Sequence, residues 1–323
     1  MYGVAFRFVS GAEDRLLLLD TASLYFRAYF GIPDSVKAPD GTPVNAVRGL
    51  LDFIARLVAD HAPTHLACCW DNDWRPPWRV ELLPSYKAHR VVEQRAADVD
   101  VEETPDPLAD QIPVIVEALT SLGLAIVGVD GYEADDVIGT LATGAGMPVD
   151  VVTGDRDLFQ LVDDGAQVQV LYTAARGVGR LERITSAVVR DKYGIGPEQY
   201  ADFATLRGDP SDGLPGVTGI GEKTAAELLR RHGDLAGIRV AAATVGSPLT
   251  PAQRRRITEG STYLDVAPQV VAVARNLDLR AHDLALPADP PVDPAAFAAL
   301  VKRWGLGGSA VRVVNALRAA ADA

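Results

Sequence analysis

Three short apolar runs each end on aspartate: Leu16-Leu-Leu-Leu19 before Asp20, Leu66-Ala-Cys-Cys-Trp70 before Asp71, and Val149-Asp-Val-Val152 before Thr153-Gly154-Asp155-Arg156-Asp157. Two further acidic sets follow. Gly131-Tyr-Glu133-Ala-Asp135-Asp136 opens a helical pattern, and Arg207-Gly-Asp209-Pro-Ser-Asp212 reads as a loop. Acidic residues at a helix start are also ordinary caps, favoured by the helix dipole, so Glu133, Asp135 and Asp136 taken alone admit both readings. Nine acids brought to one place would repel each other and hold their protons unless cations neutralised them. A donor set made only of oxygen suits Mg²⁺ or Mn²⁺, not zinc or copper. Two such ions a few ångström apart are the known device for in-line attack on a phosphodiester, so the implied chemistry is metal-assisted hydrolysis of a nucleic-acid backbone.

The elements that must position these acids follow from the hydrophobic pattern. Residues 16–19, 66–70, 124–129, 149–152 and 168–172 read as buried, parallel-type strands. Residues 42–61, with Val47, Leu50, Leu51, Ile54, Leu57 and Val58 at helical spacing, read as a crossover helix, and 111–121 and 134–142 as two more. Alternating strands and helices predict an α/β core with a mainly parallel sheet, whose strand ends deliver the aspartates to one edge. After about residue 185 only helical patterns remain, at 186–193, 197–206, 222–232, 251–263 and a last pair over 294–320; residues 284–296 read as a surface connection. The expected division is a catalytic core over 1–185 and a helical region over 186–323 whose last helices pack on the core. Residues 73–110 interrupt the core without clear period, and so long an insertion tends to be functional.

Composition narrows the class. The chain has 323 residues, 48% hydrophobic and 23% charged, values of a globular protein, and a formal charge of −12 that argues against binding nucleic acid by bulk charge. No apolar stretch is long enough to span a bilayer, and the first 15 residues read as a loose extension with no leader signature. The adjacent Cys68 and Cys69 are expected to be reduced and buried, as in a cytoplasmic protein, and the five scattered histidines lack zinc-site spacing. Inside this acidic chain, residues 75–95 carry five basic against two acidic side chains, including Trp78-Arg79 and Tyr86-Lys87-x-x-Arg90. Such a patch suits an anionic backbone, although a solvated loop is its ordinary fate. Residues 98–110 reverse the sign, with six acids and no base. The run Gly216-Val-Thr-Gly219-Ile-Gly221-Glu-Lys223 reads as a tight turn whose glycines and free helix-start N–H groups could approach a phosphate.

Leu19-Asp20, Trp70-Asp71, Gly131 to Asp136, Thr153 to Gln160 and Leu206 to Ala225 together resemble the 5′-nuclease (flap endonuclease) family, above all the 5′-3′ exonuclease domain that begins bacterial DNA polymerase I. The motifs fall in family order over about residues 16–304. The resemblance implies a PIN-like core, an arch-like insertion whose helices follow the Tyr86–Arg90 segment, and a helix-hairpin-helix (H3TH) element at Gly216–Lys223. It implies metal ligation at all nine carboxylates, some directly and some through water, by two or more Mg²⁺ or Mn²⁺ ions. Lys87 and Arg90 then contact the scissile phosphate. Arg79, Tyr86, Gly216, Gly219, Gly221 and Lys223 contact DNA, with K⁺ held by the hairpin carbonyls. Arg75, outside that segment, is expected to matter little, and Asp73 to belong to solvent or the insertion. Gly213, Gly154 and Arg156 stand where the family often has Asn, Ala and Lys. The implied activity is hydrolysis of DNA, and of RNA in hybrids, near 5′ ends, flaps and nicks, by a monomer. Two rivals remain: an inactive binder of branched DNA, which the complete carboxylate set argues against, and a PIN-type ribonuclease, which the hairpin and the insertion argue against.

Overall fold

The computed structural model describes residues 14–93, 101–102, 104–174, 177–279 and 282–322. The N-terminal extension therefore lies almost wholly outside the described residues. Eight strands occur among them: β1 (Leu16–Asp20), β2 (His65–Cys69), β3 (Val91–Glu93), β4 (Val101–Glu102), β5 (Ala125–Val127), β6 (Val149–Thr153), β7 (Val168–Tyr172) and β8 (Glu182–Ile184). Six form one sheet in the order β5-β2-β1-β6-β7-β8, parallel except for the β7–β8 pair.

The continuous apolar runs are explained by helices on both faces. Leu16 and Leu18 of β1 face a core shared with helix Ala134–Gly144 and the helices after residue 186, whereas Leu17 and Leu19 face the core of helix Asn45–His61. The last helix, Gly307–Ala321, packs along Asn45–His61 and places Val313 and Leu317 in that second core. Strand order reverses at β1 and β6, and the crevice beyond their carboxyl ends is where ligands of open α/β sheets bind. Asp20 ends β1, Asp71 follows β2, and Asp155 and Asp157 follow β6.

Several elements differ from expectation. Helix Thr21–Gly31 starts directly after β1, capped by Asp20, which accepts a hydrogen bond from the Ser23 N–H at 3.1 Å. β8 has one buried residue, Ile184, in an otherwise polar edge strand, too little for a hydrophobic signal. Residues 251–263 divide at Gly260 into helices Pro251–Glu259 and Ser261–Val271, and helix Leu235–Ala243 precedes them. Residues 284–296 are more than a surface connection: the Leu284 carbonyl accepts from Leu66 N–H at 2.8 Å, and Leu286 N–H donates to Thr64 at 2.9 Å, extending the sheet beside the start of β2. The described part of the insertion holds helix Pro77–Leu82, a 3₁₀ turn at Ala88–Arg90, the antiparallel β3–β4 pair and the short helix Asp106–Ala109, while residues 94–100 of the segment where the resemblance implied arch helices lie outside the described residues. Among the described residues, no helix is long and apolar enough to cross a membrane.

Candidate active site

A polar cavity of about 460 Å³ opens beyond the strand ends, lined by Asp20, Asp71, Glu133, Asp135, Asp155 and Asp209. Most of these acids are held by hydrogen bonds from nearby residues. Asp20 accepts from Thr153 Oγ1 at 2.6 Å as well as from Ser23. Asp71 accepts from Ala134 N–H at 2.8 Å, tying the end of β2 to the helix that carries Asp135. Asp155 accepts from Asp157 N–H at 2.8 Å. Asp209 accepts from Ser211 N–H at 2.9 Å and lies 3.1 Å from Arg207 Nη2 and 4.0 Å from Arg156 Nη2. Asp212 lies 3.1 Å from Arg90 Nη2.

Asp136 departs from the expected ligand role. It is fully buried; its Oδ1 accepts from Arg79 Nη2 and from Ala274 N–H, both at 2.8 Å, and its Oδ2 from Arg79 Nη1 at 2.8 Å and Glu133 N–H at 3.2 Å. Four donors occupy the lone-pair capacity of one carboxylate, leaving none for an ion. At this position the ordinary capping role is the one realised, reinforced by an arginine.

Arg79 and Tyr86 are corrected by the same network. Arg79, 2% exposed, pairs with Glu133 and Asp136, donates to the Val270 carbonyl at 3.0 Å and lies 4.6 Å from the centre of the Trp78 ring. Tyr86 is buried and donates its hydroxyl to Glu133 at 2.7 Å. Neither side chain faces solvent where a DNA backbone would pass. Lys87 pairs with Glu133 from the cavity side and lines the cavity with Arg90. Arg75 is buried, donating to the Tyr86 and Pro84 carbonyls at 2.6 and 3.1 Å, so it shapes the loop that presents Lys87. Asp73, also buried, accepts from the Gly131 N–H and clamps the turn before Glu133.

At the second cluster, Gly219 and Gly221 are exposed and Lys223 stands exposed in the first turn of helix Glu222–His232. Gly216 is fixed by packing: at φ +67° a Cβ there would lie 2.6 Å from the Arg207 carbonyl. Gly219 has φ +78°, and its carbonyl accepts from Arg256 Nη1 at 2.8 Å. Gly221 has ordinary φ and nothing within 4 Å of a Cβ position.

Residues 15–194 match the 5′-3′ exonuclease N-terminal resolvase-like domain, and residues 195–292 the 5′-3′ exonuclease C-terminal SAM fold. The chain belongs to the 5′-3′ exonuclease family. It is 63% identical over 303 residues to a 5′-3′ exonuclease of Streptomyces coelicolor, covering 94% of this chain and 100% of the relative. It is 46% identical over 228 residues to DNA polymerase I of Mycobacterium bovis, covering 69% of this chain and 24% of that protein. Among solved structures, the T5 D15 protein co-crystallized with metal ions shares the fold at TM-score 0.61 and 17% identity, over 95% of this chain and 99% of that one.

The electrostatics of this exonuclease-family site call for cations. Burial, then repulsion from Asp71 and Asp155, pushes Asp20 up to about 7 against its hydrogen bonds from Thr153 and Ser23. Burial likewise holds Asp135 and Asp157 well above the carboxylate range, with Asp155 the leading neighbouring charge, and pushes Asp212 up to about 6 although Lys87 opposes it. Burial would also raise Glu133, but Lys87 and Arg79 reverse it and hold Glu133 low. Among the described residues, no basic side chain pairs with Asp20, Asp71, Asp135, Asp155 or Asp157, and Asp157 Oδ1 is buried without a hydrogen-bond partner. An orphaned carboxylate oxygen among acids fits a hard divalent ion. No three His, Cys, Asp or Glu side chains among the described residues form a ready cage for one ion.

Arg156 and Glu102 also line the cavity, and sequence reasoning did not name them as site residues. Both left a trace: Arg156 lies inside the Thr153–Gln160 motif, and Glu102 sits in the acidic run that departs from a basic insertion. Gln160 left none. It is buried and donates to the carbonyls of Asp157 (2.9 Å) and Val271 (3.1 Å), bracing Asp157 from behind.

Proposed function

We propose that the chain is a divalent-metal-dependent 5′-nuclease that hydrolyses phosphodiester bonds of DNA near 5′ ends, flaps and nicks. The observation that carries this reading is the cavity in which unpaired aspartates from β1, β2 and β6 face Lys87 and Arg90 across one opening. In it, Mg²⁺ or Mn²⁺ would be held by Asp20, Asp71, Asp135, Asp155 and Asp157, with Glu133, Asp209 and Asp212 contributing directly or through water. The bound ions supply activation of water and withdrawal of charge from the phosphodiester. Lys87 and Arg90 draw the scissile phosphate down and stabilise the charge that grows on it. Exposed Gly219, Gly221 and Lys223 grip the duplex backbone without reading bases, since helix-start N–H groups and a lysine recognise phosphate alone. K⁺ at the hairpin would be held by backbone carbonyls in competition with Arg256, which already donates to the Gly219 carbonyl. The division of labour is cleavage by the core over 1–185 and duplex binding by the helical region over 186–323, in a monomer.

The test is a time course on 5′-labelled flap, nicked and blunt substrates with chelator, Mg²⁺ or Mn²⁺. Cutting should require added divalent ion, and Asp155→Ala should lose several orders of magnitude in rate while melting cooperatively. Cutting by clean protein in chelator, or near-normal rate in Asp155→Ala, refutes the proposal.

A further inference from the structure

Glu102 is an acid in a cavity already crowded with acids, and the register of the insertion puts it there. β3 begins at Val91, the residue after Arg90, and Val91 is the antiparallel partner of Glu102 on β4. Glu102 Oε1 lies 3.9 Å from Arg90 Nη1, and Arg90 Nη2 reaches the Ser211 carbonyl at 2.6 Å and Asp212 at 3.1 Å. Both partners are only partly exposed, with side chains 34% and 24% accessible for Arg90 and Glu102. A second anion on Arg90 is not needed to satisfy it, since Asp212 already does so. Glu102 lines the cavity beside Arg90, where a phosphate bound to Arg90 would also lie.

We propose that Glu102 is a built-in competitor for the DNA backbone: in the free protein it holds Arg90 and covers the cavity, and an incoming 5′ strand must displace it. This rests on Arg90 being a phosphate contact. The consequence is selectivity. A strand that threads past the insertion regains Arg90 in exchange for the lost Glu102 pair, whereas DNA bound only at the helical region never meets Glu102. Glu102 then raises the threshold for engaging a strand without altering duplex grip.

The experiment measures binding in calcium, under conditions where gels show no cleavage, using a 5′-flap duplex and the same duplex with the flap removed. Wild type, Glu102→Gln, Arg90→Gln and the double variant are compared, each checked for cooperative melting, with Glu102→Ala as a second neutral replacement. Glu102→Gln should bind the flap substrate about threefold tighter, the scale of a partly exposed ion pair, with no change for the flapless duplex. Arg90→Gln should weaken flap binding, and the double variant should match Arg90→Gln alone, because the two side chains act through one contact. Unchanged or weaker flap binding in both Glu102 variants, with Arg90→Gln still impaired, overturns the role of Glu102 and leaves that of Arg90. Tightening that persists without Arg90 overturns the exchange in favour of simple repulsion. No loss in Arg90→Gln removes the phosphate-contact reading and this inference with it.

Discussion

Arg79 and Lys87 both reach Glu133, yet their surroundings assign opposite consequences to their loss. Arg79 is walled in by Trp78, Tyr86 and the Val270 carbonyl, and it balances two buried acids. Removing one partner of such a network leaves uncompensated buried charge, so Arg79→Ala should cost about 3–5 kcal/mol in chemical unfolding. A variant of wild-type stability that only binds DNA more weakly would refute this. Lys87 opens on the cavity, and Glu133 keeps Arg79 and Tyr86 when Lys87 is gone. Lys87→Ala should therefore stay folded and lose on the order of a hundredfold in cleavage rate at saturating DNA, with a much smaller change in dissociation constant. Loss of activity explained wholly by weaker binding would make Lys87 a steering charge. The sequence shows charge and spacing, which fit a solvated loop as well as a site, and it was the family resemblance of the Tyr86–Arg90 segment that nominated Lys87. It does not show burial, which is why Arg79, eight residues earlier in the same motif, read as a DNA contact and Arg75 as dispensable.

Elements were legible where one physical signal dominated. Short apolar runs before aspartate, uninterrupted in β1 and β2 and broken by Asp150 in β6, marked those three strands, and parallel strands in one sheet must end at one edge. What stayed hidden was decided by contacts distant in sequence: the β8 edge strand, the segment at residues 284–286 beside β2, and the β3–β4 pair within the insertion. The glycines of the hairpin show the same limit, since one sequence run carries both packing and surface glycines. Gly216 faces the Arg207 carbonyl at positive φ, so Gly216→Ala should lower thermal stability. Gly221 is free of both constraints, so Gly221→Val should melt like wild type while duplex affinity drops by a factor that shrinks as salt rises. Equal melting temperatures for the two variants would show that packing does not separate them. Unchanged duplex affinity in Gly221→Val would remove that turn from the DNA-binding surface.

At the scale of the whole molecule, the formal charge of −12 includes an active site in which Asp20, Asp71, Asp135, Asp155 and Asp157 have no basic partner among the described residues. Asp20 and Asp212 keep protons in the folded protein up to about 7 and about 6, while in the unfolded chain both ionise near the ordinary aspartate value of 3.8. Between those limits the folded state binds more protons than the unfolded one, so stability falls as pH rises from about 4 to about 7. Asp135 and Asp157 act in the same direction. Asp150, held low despite burial by its hydrogen bonds from His61 and Gln169 and by Arg15, contributes stability that is lost only below the aspartate range, as does Glu133 below the glutamate range. Divalent ions bind the deprotonated acids and so add most stability where the proton is gone. The chelated protein should thus melt higher at pH 5.5 than at pH 8, and millimolar Mg²⁺ or Mn²⁺ should raise the melting temperature far more at pH 8. Net negative charge alone would produce a similar slope, but it is screened by any salt. Matching ionic strength with NaCl separates the two, and Asp157→Asn, which removes one buried acid, should both flatten the slope of the chelated protein and shrink the gain from divalent ion. If NaCl restores stability as well as Mg²⁺ does, or if Asp157→Asn changes neither slope nor gain, the aspartates beyond β1, β2 and β6 are not a metal site.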